Sequence, residues 1–544
     1  MTHSKFRNDF ASLRHIALVG CALLGASLSR PALAQSYSVT DLGTLGGSST
    51  YAEHINEAGV VVGDSNVASG AVDAFYWNNG TMTGLGLTNS VLTPIAFGIN
   101  NAAQFQIVGT DVGFFGASGT AFLWQNNNLT WLPSFGGSTY AYRINDAGQI
   151  VGAADVNGNR HATLWYNGSI SDLGILPGGT QSFAQDINAY GYIVGSADDA
   201  SANNHAVYWD STGIHDLGTL PNGTSSSCYG VQRAESYSFA VGESNTLVNG
   251  TEEEHACAFD GDSVEDLGTL GGNLSAAYAV NDYFQIVGST ERTDGSFAAF
   301  LYSWYGANMY DLNALISPST GWQLTSATSV NDHGQITGYG QLNGQTHAFL
   351  LTPTYHIKSV TVSPGTVPGS ISATGVVTLD APAPTDLVIY LGSTGQVAIP
   401  SYCILPEGET SQEFFIDTTA VASPVTVQIV AYLYGDAKSA PLTVRPIGVK
   451  ALAVSPASVK GGAGKVVTGK ITLEGPASPM PITVTLASSN NSAASPAVSS
   501  VVVPEGKTTV NFNIVTGKVS ASTVVTFKAT ANGIAKTAKL TVTP

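Results

Sequence analysis

The sequence predicts an all-β protein, a seven-bladed propeller followed by two β-sandwiches. Three observations carry that prediction. Three short phrases recur in fixed order between residues 37 and 353, two of them seven times. The last third of the chain replaces them with two units of about 90 to 95 residues that echo one another. Composition is that of turn-rich β-structure, with 61 glycines, 43% hydrophobic residues and only 11% charged ones. That apolar content excludes a largely disordered chain, and 544 residues exceed a single core.

The first phrase is Asp-Leu-Gly, and "DLGTLGG" stands letter for letter at both 41–47 and 266–272. The second is Ile/Val-Asn, a turn, then Ile-Val-Gly, as in "INDAGQIVG" (144–152) and "VNDHGQITG" (330–338); a degenerate copy fills 231–242. The third is an apolar strand usually opened by His-Ala, as in "HATLW" (161–165) and "HAFLL" (347–351). The closing glycines Gly63, Gly109, Gly152, Gly195, Gly242, Gly288 and Gly338 are spaced by 46, 43, 43, 47, 46 and 50 residues, a period of solenoids and propellers.

Each period reads as four short strands. Ala-x-x-Ile-Asn is the first; Asn-Asp-x-Gly turns it into the second; His-Ala-x-x-Trp is the third; Asn-Gly pairs such as Asn167-Gly168 turn it into the fourth, which ends in Asp-Leu-Gly. The repeat starts on a fourth strand, "YSVTDLG", and stops after a third, "HAFLL". Joined, the two complete one blade and remove two open edges, burying Val39 and Leu42. His161, His205, His255 and His347 open the same strand in different blades, so they are expected to make structural hydrogen bonds and not to share a metal ion. Trp77, Trp124, Trp165 and Trp209 share one phase and are expected to pack between blades.

In their order, "DLGTLGG", "INxxGxIVG" and "HAFLW" resemble the bacterial extracellular HAF-repeat family over about residues 37 to 353. The resemblance implies a secreted or surface-exposed protein and supplies no catalytic residues. Some relatives end in a sorting segment with a membrane helix and an arginine cluster; this chain ends "AKLTVTP".

From about residue 357 the period stops. "VTVSP" (360–364) is echoed by "LAVSP" (452–456), "LPEGET" (405–410) by "VPEGKT" (503–508) and "PLTVRP" (441–446) by "KLTVTP" (539–544). Their size and alternation fit immunoglobulin-like sandwiches at 357–446 and 447–544, and the tandem resembles the stalk modules of bacterial surface proteins. Charge separates the regions. Residues 35–356 hold 28 acidic residues against Arg143, Arg160, Arg233 and Arg292, with no lysine. Residues 447–544 hold nine lysines against Glu474 and Glu505. An acidic head repels phosphate backbones, so nucleic acid is not an expected partner; the basic last module suits an anionic envelope polymer.

Residues 1–34 read as a signal peptide: Lys5, Arg7 and Arg14 precede an apolar stretch, and Ala32-Leu33-Ala34 supplies a cleavage site, so the exported chain should begin at Gln35. The alternative is a lipobox ending at Cys21. No later stretch reaches the ~18 apolar residues of a membrane span. Cys228, Cys257 and Cys403 remain after cleavage, and all three are expected to be reduced, buried fillers.

Neither sialidase-type boxes nor Gly-x-Ser-x-Gly, His-Glu-x-x-His or calcium-loop motifs occur, so no catalytic residue, metal or cofactor is expected. Asp64, Asp111, Asp155, Asp198 and Glu291, after the second strands, suit either weak cation collection or solvated loops. The expected function is a secreted or cell-surface binding and adhesion protein, with the propeller as head and the sandwiches as stalk. A structural envelope or matrix protein is the alternative, and a glycan-active enzyme comes after it. The candidate site is the pair of unlike residues inside the first strands, which line the axis of a propeller. Glu53, His54, Tyr142, Arg143, Gln185, Asp186 and Tyr278 suit stacking on, and hydrogen bonding to, a carbohydrate or short peptide. The same residues also suit mere plugging of the axis.

Overall fold

The computed structural model describes residues 36–88, 93–113, 118–233, 239–261, 263–462, 466–478 and 480–544. The expected cleavage site after Ala34 and the alternative lipid acceptor Cys21 lie outside the described residues. The fold is all-β: the helical pieces among the described residues are two single 3-10 turns, Leu312–Ala314 and Pro318–Thr320. The chain divides into two compact units. The first runs to His356 and takes in Ala381–Val388 and Pro406–Glu409; the second holds the remainder from Ile357.

In the first unit the strands succeed one another as four-stranded antiparallel meanders. Gly46–Ile55, Val61–Val67, Val72–Asn78 and Thr81–Gly84 form sheet 1. Sheets 2 to 6 repeat the order from first strands at Thr93–Ile99, Thr139–Ile144, Ser182–Ile187, Ser226–Val231 and Gly271–Val280. One parallel pair, Glu254 with Leu274, also joins sheets 5 and 6. Sheet 7 takes Trp322–Val330, Ile336–Leu342 and Gln345–Pro353, and its fourth strand is Tyr37–Asp41 from the other end of the unit, with Val39 opposite Leu351. Asn-Gly corners turn the hairpins because both residues accept positive φ: Asn157 and Gly158 sit at 51° and 91°, Asn167 and Gly168 at 52° and 76°.

Apolar cores lie between consecutive sheets. Trp124 packs with Val60, Val62 and Ala74 of sheet 1, Trp165 with Val108 and Ala121 of sheet 2, and Trp209 with Val151 and Ala162 of sheet 3. Trp77 of sheet 1 packs with Ala348 and Leu350 of sheet 7 and with Leu42. All four tryptophans thus sit between neighbouring sheets, as their shared phase requires. The strand Tyr37–Asp41 differs in one detail from expectation. Val39 is only half-buried, and Tyr37, at 3% exposure, joins Leu42 as the anchor, because its ring reaches the core shared by sheets 6 and 7.

The recurrent histidines face the recurrent aspartates across the third hairpin. His161 Nδ1 lies 2.9 Å from Asp172, His205 Nδ1 2.8 Å from Asp216, and His255 Nδ1 2.9 Å from Asp266. Cys228, Cys257 and Cys403 are free and buried.

The second unit contains one sheet pair built twice. A four-stranded sheet and a five-stranded sheet recur with the same strand order. In both, a short strand runs parallel to the last long one: Thr366–Pro368 beside Thr443–Arg445, and Ser458–Lys460 beside Thr541–Thr543. That shared edge explains why "PLTVRP" and "KLTVTP" match. Gly375 and Gly469 hold equivalent places too, since a Cβ on either would meet the ring of Phe414 or Phe512 at 2.2 Å.

Candidate functional site

All seven first strands carry a register shift at one place, between Ala52 and His54 in sheet 1 and between Ala141 and Arg143 in sheet 3, for example. The residue inside the shift has no ladder partner, as in a β-bulge. It is Glu53, Phe97, Tyr142, Gln185, Tyr229, Tyr278 or Thr328 in turn. The closing glycine of the second strand packs against the strand entering this bulge. A Cβ on Gly63 would stand 2.0 Å from the Tyr51 carbonyl oxygen, and one on Gly152 1.9 Å from that of Tyr140. Invariance of glycine and variability of the bulge are therefore one local geometry.

The asparagine after six of the seven first strands is a bracket. Asn145 Oδ1 accepts from the N–H groups of Ala147 and Gln149 at 3.1 and 3.0 Å, and its Nδ2 donates to the Asn188 carbonyl of the next sheet at 3.1 Å. The same donation runs from Asn56 to Asn100, from Asn100 to Asn145, from Asn188 to Gln232 and from Asn281 to Asn331. Asn331 donates to the Asn56 carbonyl, 275 positions earlier, at 3.0 Å. Sheet 5, the degenerate copy, replaces asparagine with Gln232. Its neighbour Arg233 reaches Glu57 of sheet 1 at 2.9 Å and Asp146 of sheet 3 at 3.7 Å.

Beneath Arg233 lies a cavity of about 50 Å³ to which every one of the seven first strands or the turn after it contributes lining. Of the sequence-predicted residues it gathers His54, Arg143, Asp186 and Tyr278; Glu53, Tyr142 and Gln185 stand outside its lining. A cavity of this size admits a few waters at ~10 to 15 Å³ each, far below the ~300 Å³ of a small-molecule pocket. Its polar groups are also committed to backbone. The Ile99 N–H donates to His54 Nδ1 at 3.2 Å, so the imidazole proton resides on Nε2; burial, Arg143 and Arg233 hold its pKa well below the ordinary value. Asp186 accepts from Ile187 at 2.8 Å and from Val231 of sheet 5 at 3.0 Å, while burial pushes its pKa up. Arg143 Nη1 donates to the carbonyls of Phe97 and Tyr142. Where it is His54, Arg143, Asp186 or Ser329, the second residue of the variable pair thus ties one sheet to its neighbour. Where it is Gly98 or Gly230, a Cβ would meet the adjoining strand's carbonyl at 2.8 or 2.7 Å.

The first residue of the pair does something else, except at Thr328, whose hydroxyl donates to the Ala52 carbonyl of sheet 1 at 2.9 Å. With the residue after the closing glycine it forms a belt rich in rings and carboxyls. Tyr51 meets Tyr339 edge to face at 5.1 Å between centroids, Phe97 meets Tyr142 at 5.7 Å, and Tyr229 lies 5.8 Å from Tyr278. The Tyr229 hydroxyl donates to Glu243. Burial raises Glu53 to about 7 against the pull of Arg143. Burial and the charge of Glu53 raise Asp64 to about 8, and burial raises Glu243 to about 7. Sequence reading missed Tyr51, Glu243 and Tyr339. The available signal was position, since Asp64, Glu243 and Tyr339 each follow a closing glycine. The other acids in that region divide. Asp155, Asp198 and Glu291 accept loop N–H groups, as solvated loop residues do. No group of three metal-ligating side chains is assembled among the described residues.

No family model matches the chain, and no curated protein matches it. Among solved structures it is similar to the D00-D0 domain of intimin at 11% identity and a TM-score of 0.18, over 34% of this chain and 99% of that one. It is also similar to a C-terminal 282-residue intimin fragment in complex with the intimin-binding domain of the translocated intimin receptor (15%, TM-score 0.18, 35% and 64%). A third is bovine butyrophilin (12%, TM-score 0.19, 35% and 100%). No helix among the described residues is long and apolar enough to cross a membrane.

Proposed function

We propose that the protein is an exported, non-catalytic recognition and adhesion protein. Its first unit is a closed seven-bladed propeller of HAF-type repeats (35–356) acting as the head, carried on two immunoglobulin-like modules (357–446 and 447–544). Closure is supported by the donation from Asn331 to Asn56, by the core shared between Trp77 and Leu350, and by Tyr37–Asp41 completing sheet 7. A ring so closed brings the seven first strands to one axis, which is why one small cavity touches them all.

The observation that carries the functional reading is the contrast between the two variable positions. His54, Arg143 and Asp186 are spent on the backbone of neighbouring sheets, whereas the bulge residues Glu53, Phe97, Tyr142, Tyr229 and Tyr278 supply a carboxyl and rings that make no hydrogen bond to a described backbone group of the next sheet. Tyrosine faces bordered by carboxyl groups suit a carbohydrate or envelope polymer. The first-strand site is thereby narrowed to Glu53, Tyr142, Gln185 and Tyr278, together with Tyr51, Asp64, Glu243 and Tyr339.

The test is a panel of glycans and envelope preparations presented to the full exported chain and to a Tyr142→Ala/Tyr278→Ala variant whose melting is unchanged. Binding that the variant loses supports the head as reader. Binding that survives unaltered, or that belongs wholly to residues 357–544, removes it. Self-assembly without any binding would instead favour a structural envelope protein.

A further inference from the structure

We propose that the outward face of the five-stranded sheet in the last module (447–544) binds a carboxylate-bearing polysaccharide through Lys460, Lys528 and Lys539. The inference is independent of the reading of the head as a recognition site, and it gives a binding role to a part of the chain treated so far as stalk.

That sheet is built from Ser458–Lys460, Ile482–Ser488, Ser500–Val503, Thr523–Ala531 and Ile534–Thr543. Val525, Phe527, Ala529, Leu540 and Val542 belong to the core, so the residues alternating with them face outward. On that face each lysine has a threonine beside it: Lys528 stands opposite Thr537, Lys539 opposite Thr526, and Lys460 next to Thr543. Lys528 and Lys539 are diagonal neighbours, ~7 to 8 Å apart at Cα. Lys460 lies one strand further over and about 13 Å further along. The three form an oblique stripe, and Lys518 continues it, since a Cβ on Gly462 would meet its side chain at 2.8 Å. All four lysines are exposed.

No acid among the described residues neutralises the stripe. Glu474 is held by Arg445 at 2.6 and 2.8 Å and by the Gly448 N–H at 2.9 Å. Glu505 lies in the exposed turn that follows Ser500–Val503. None of the four lysines makes an ion pair with a described residue. The preceding module shows that the sheet does not require them. Its matching sheet places Val430 opposite Ser439, Pro441 opposite Gln428 and Pro368 beside Arg445, so Val430, Pro441 and Pro368 hold the places of Lys528, Lys539 and Lys460. Residues 357–446 carry seven acids against three basic residues, whereas residues 447–544 carry nine lysines against two acids. Cations gathered on one face repel one another, and a polyanion laid across them offsets that repulsion.

Charge complementarity calls for an anionic partner, and the residue types present narrow its class. Residues 447–544 contain no arginine to fork a phosphate, and their two aromatic rings, Phe512 and Phe527, are buried, so unpaired bases have no ring to stack on. Duplex nucleic acid is repelled by the acidic first unit of the same chain. Ammonium groups set among threonine hydroxyls match a polymer that offers carboxylates and sugar hydroxyls together.

The experiment is isothermal titration of the full exported chain with polygalacturonate at about 50 and about 300 mM salt. Dextran serves as the neutral polymer, and polyphosphate and duplex DNA as the other anions. The expected result is binding of polygalacturonate in preference to all three, weakened about ten-fold or more at the higher salt. Lys460→Gln/Lys528→Gln/Lys539→Gln should weaken it about ten-fold or more at low salt with an unchanged melting temperature. Lys450→Gln/Lys470→Gln/Lys507→Gln has the same net charge and lies off this face, and should change it less than about three-fold. Tyr142→Ala/Tyr278→Ala, altered only in the head, should bind polygalacturonate as the parent chain does. Equal losses in the two lysine variants, tighter binding of polyphosphate or DNA, or no binding of polygalacturonate overturns the proposal and leaves the head reading untouched. Self-association that the stripe variant abolishes, without polymer binding, overturns it in favour of another copy's acidic first unit. Loss of polygalacturonate binding in Tyr142→Ala/Tyr278→Ala overturns it in favour of the head.

Discussion

His347 Nδ1 lies 2.9 Å from Asp41 Oδ1, although 306 positions separate them. In sheets 3, 4 and 5 the same pair closes a hairpin at a separation of only 11 positions. The aspartate does double duty, because its carboxylate also accepts the N–H of the glycine two residues on, at 2.9 Å for Gly43 and 2.7 Å for Gly268. Those glycines sit at φ of 76° and 74°, which lets the chain leave the sheet. "DLG" and "HA" therefore recur as two halves of one contact, and sheet 7 takes its halves from opposite ends of the unit.

Replacing Asp41 by alanine should lower stability by about 1 kcal/mol, the ordinary value of such a bond discounted for its partial exposure. Asp172→Ala should cost a similar amount. Urea unfolding of both variants checks this; a loss at Asp172 with none at Asp41 would show that the N-terminal strand contributes nothing in solution.

Asn331→Ala should cost more. Its side chain accepts from His333 and Gln335 at 3.1 and 3.0 Å and donates to Asn56 and to Gln335 Oε1 at 3.0 and 2.9 Å, in a residue 1% exposed. Loss of about 3 kcal/mol or more is expected from stranding several buried groups at once. Equilibrium unfolding with a surface substitution as reference measures it.

Gly152→Ala and Gly168→Ala should separate steric from conformational cost. The first puts a methyl 1.9 Å from the Tyr140 carbonyl oxygen and should cost several kcal/mol or prevent folding. The second has open space and pays only for positive φ, about 1 kcal/mol. Equal effects on the melting curve would contradict the packing assigned to the closing glycines.

Stability should be greater near pH 5 than near pH 8.5. Glu53, Asp64 and Glu243 have folded pKa values raised to about 7, about 8 and about 7, so the folded state holds protons that the unfolded chain releases near ~4. Their contribution is complete below ~4 and is lost as pH rises through 7 and 8. His255, raised by its bond to Asp266, acts in the same direction above ~6.5. On the acid side His54, held well below its ordinary value, opposes this trend as pH falls below ~6.5, and the contribution of Asp198, Asp210 and Glu474, whose values are lowered, fades as pH falls below ~4. Thermal melts across pH give the curve, and Glu53→Gln with Asp64→Asn should flatten its alkaline limb.

Strand order and turns were legible in the sequence because they are encoded locally, in Asn167-Gly168 or in Ala141 through Asn145. The bulge was not. His54, Arg143 and Asp186 differ between repeats as ligand-binding residues do, but their partners are backbone groups of the next sheet, Ile99, Phe97 and Val231, and that need is visible only once the sheets stand side by side. Arg233 was hidden for the opposite reason. It sits in the one copy that departs from the pattern, and its role is set by Glu57 and Asp146, 176 and 87 positions away.

A cross-link between the N-terminal strand and sheet 7 tests the closed head most directly. Val39 stands opposite Leu351 in antiparallel register, a pairing whose Cα separation of ~4.5 to 5.5 Å suits a disulfide. The native cysteines are buried and free, so they should not compete. In Val39→Cys/Leu351→Cys, oxidation should give a monomer whose gel mobility shifts on reduction, while Val39→Cys with Ala348→Cys stays reduced. Disulfide-linked dimers, or two unreacted thiols in the register-matched variant, would contradict the closed seven-bladed head and with it the shared site at its axis.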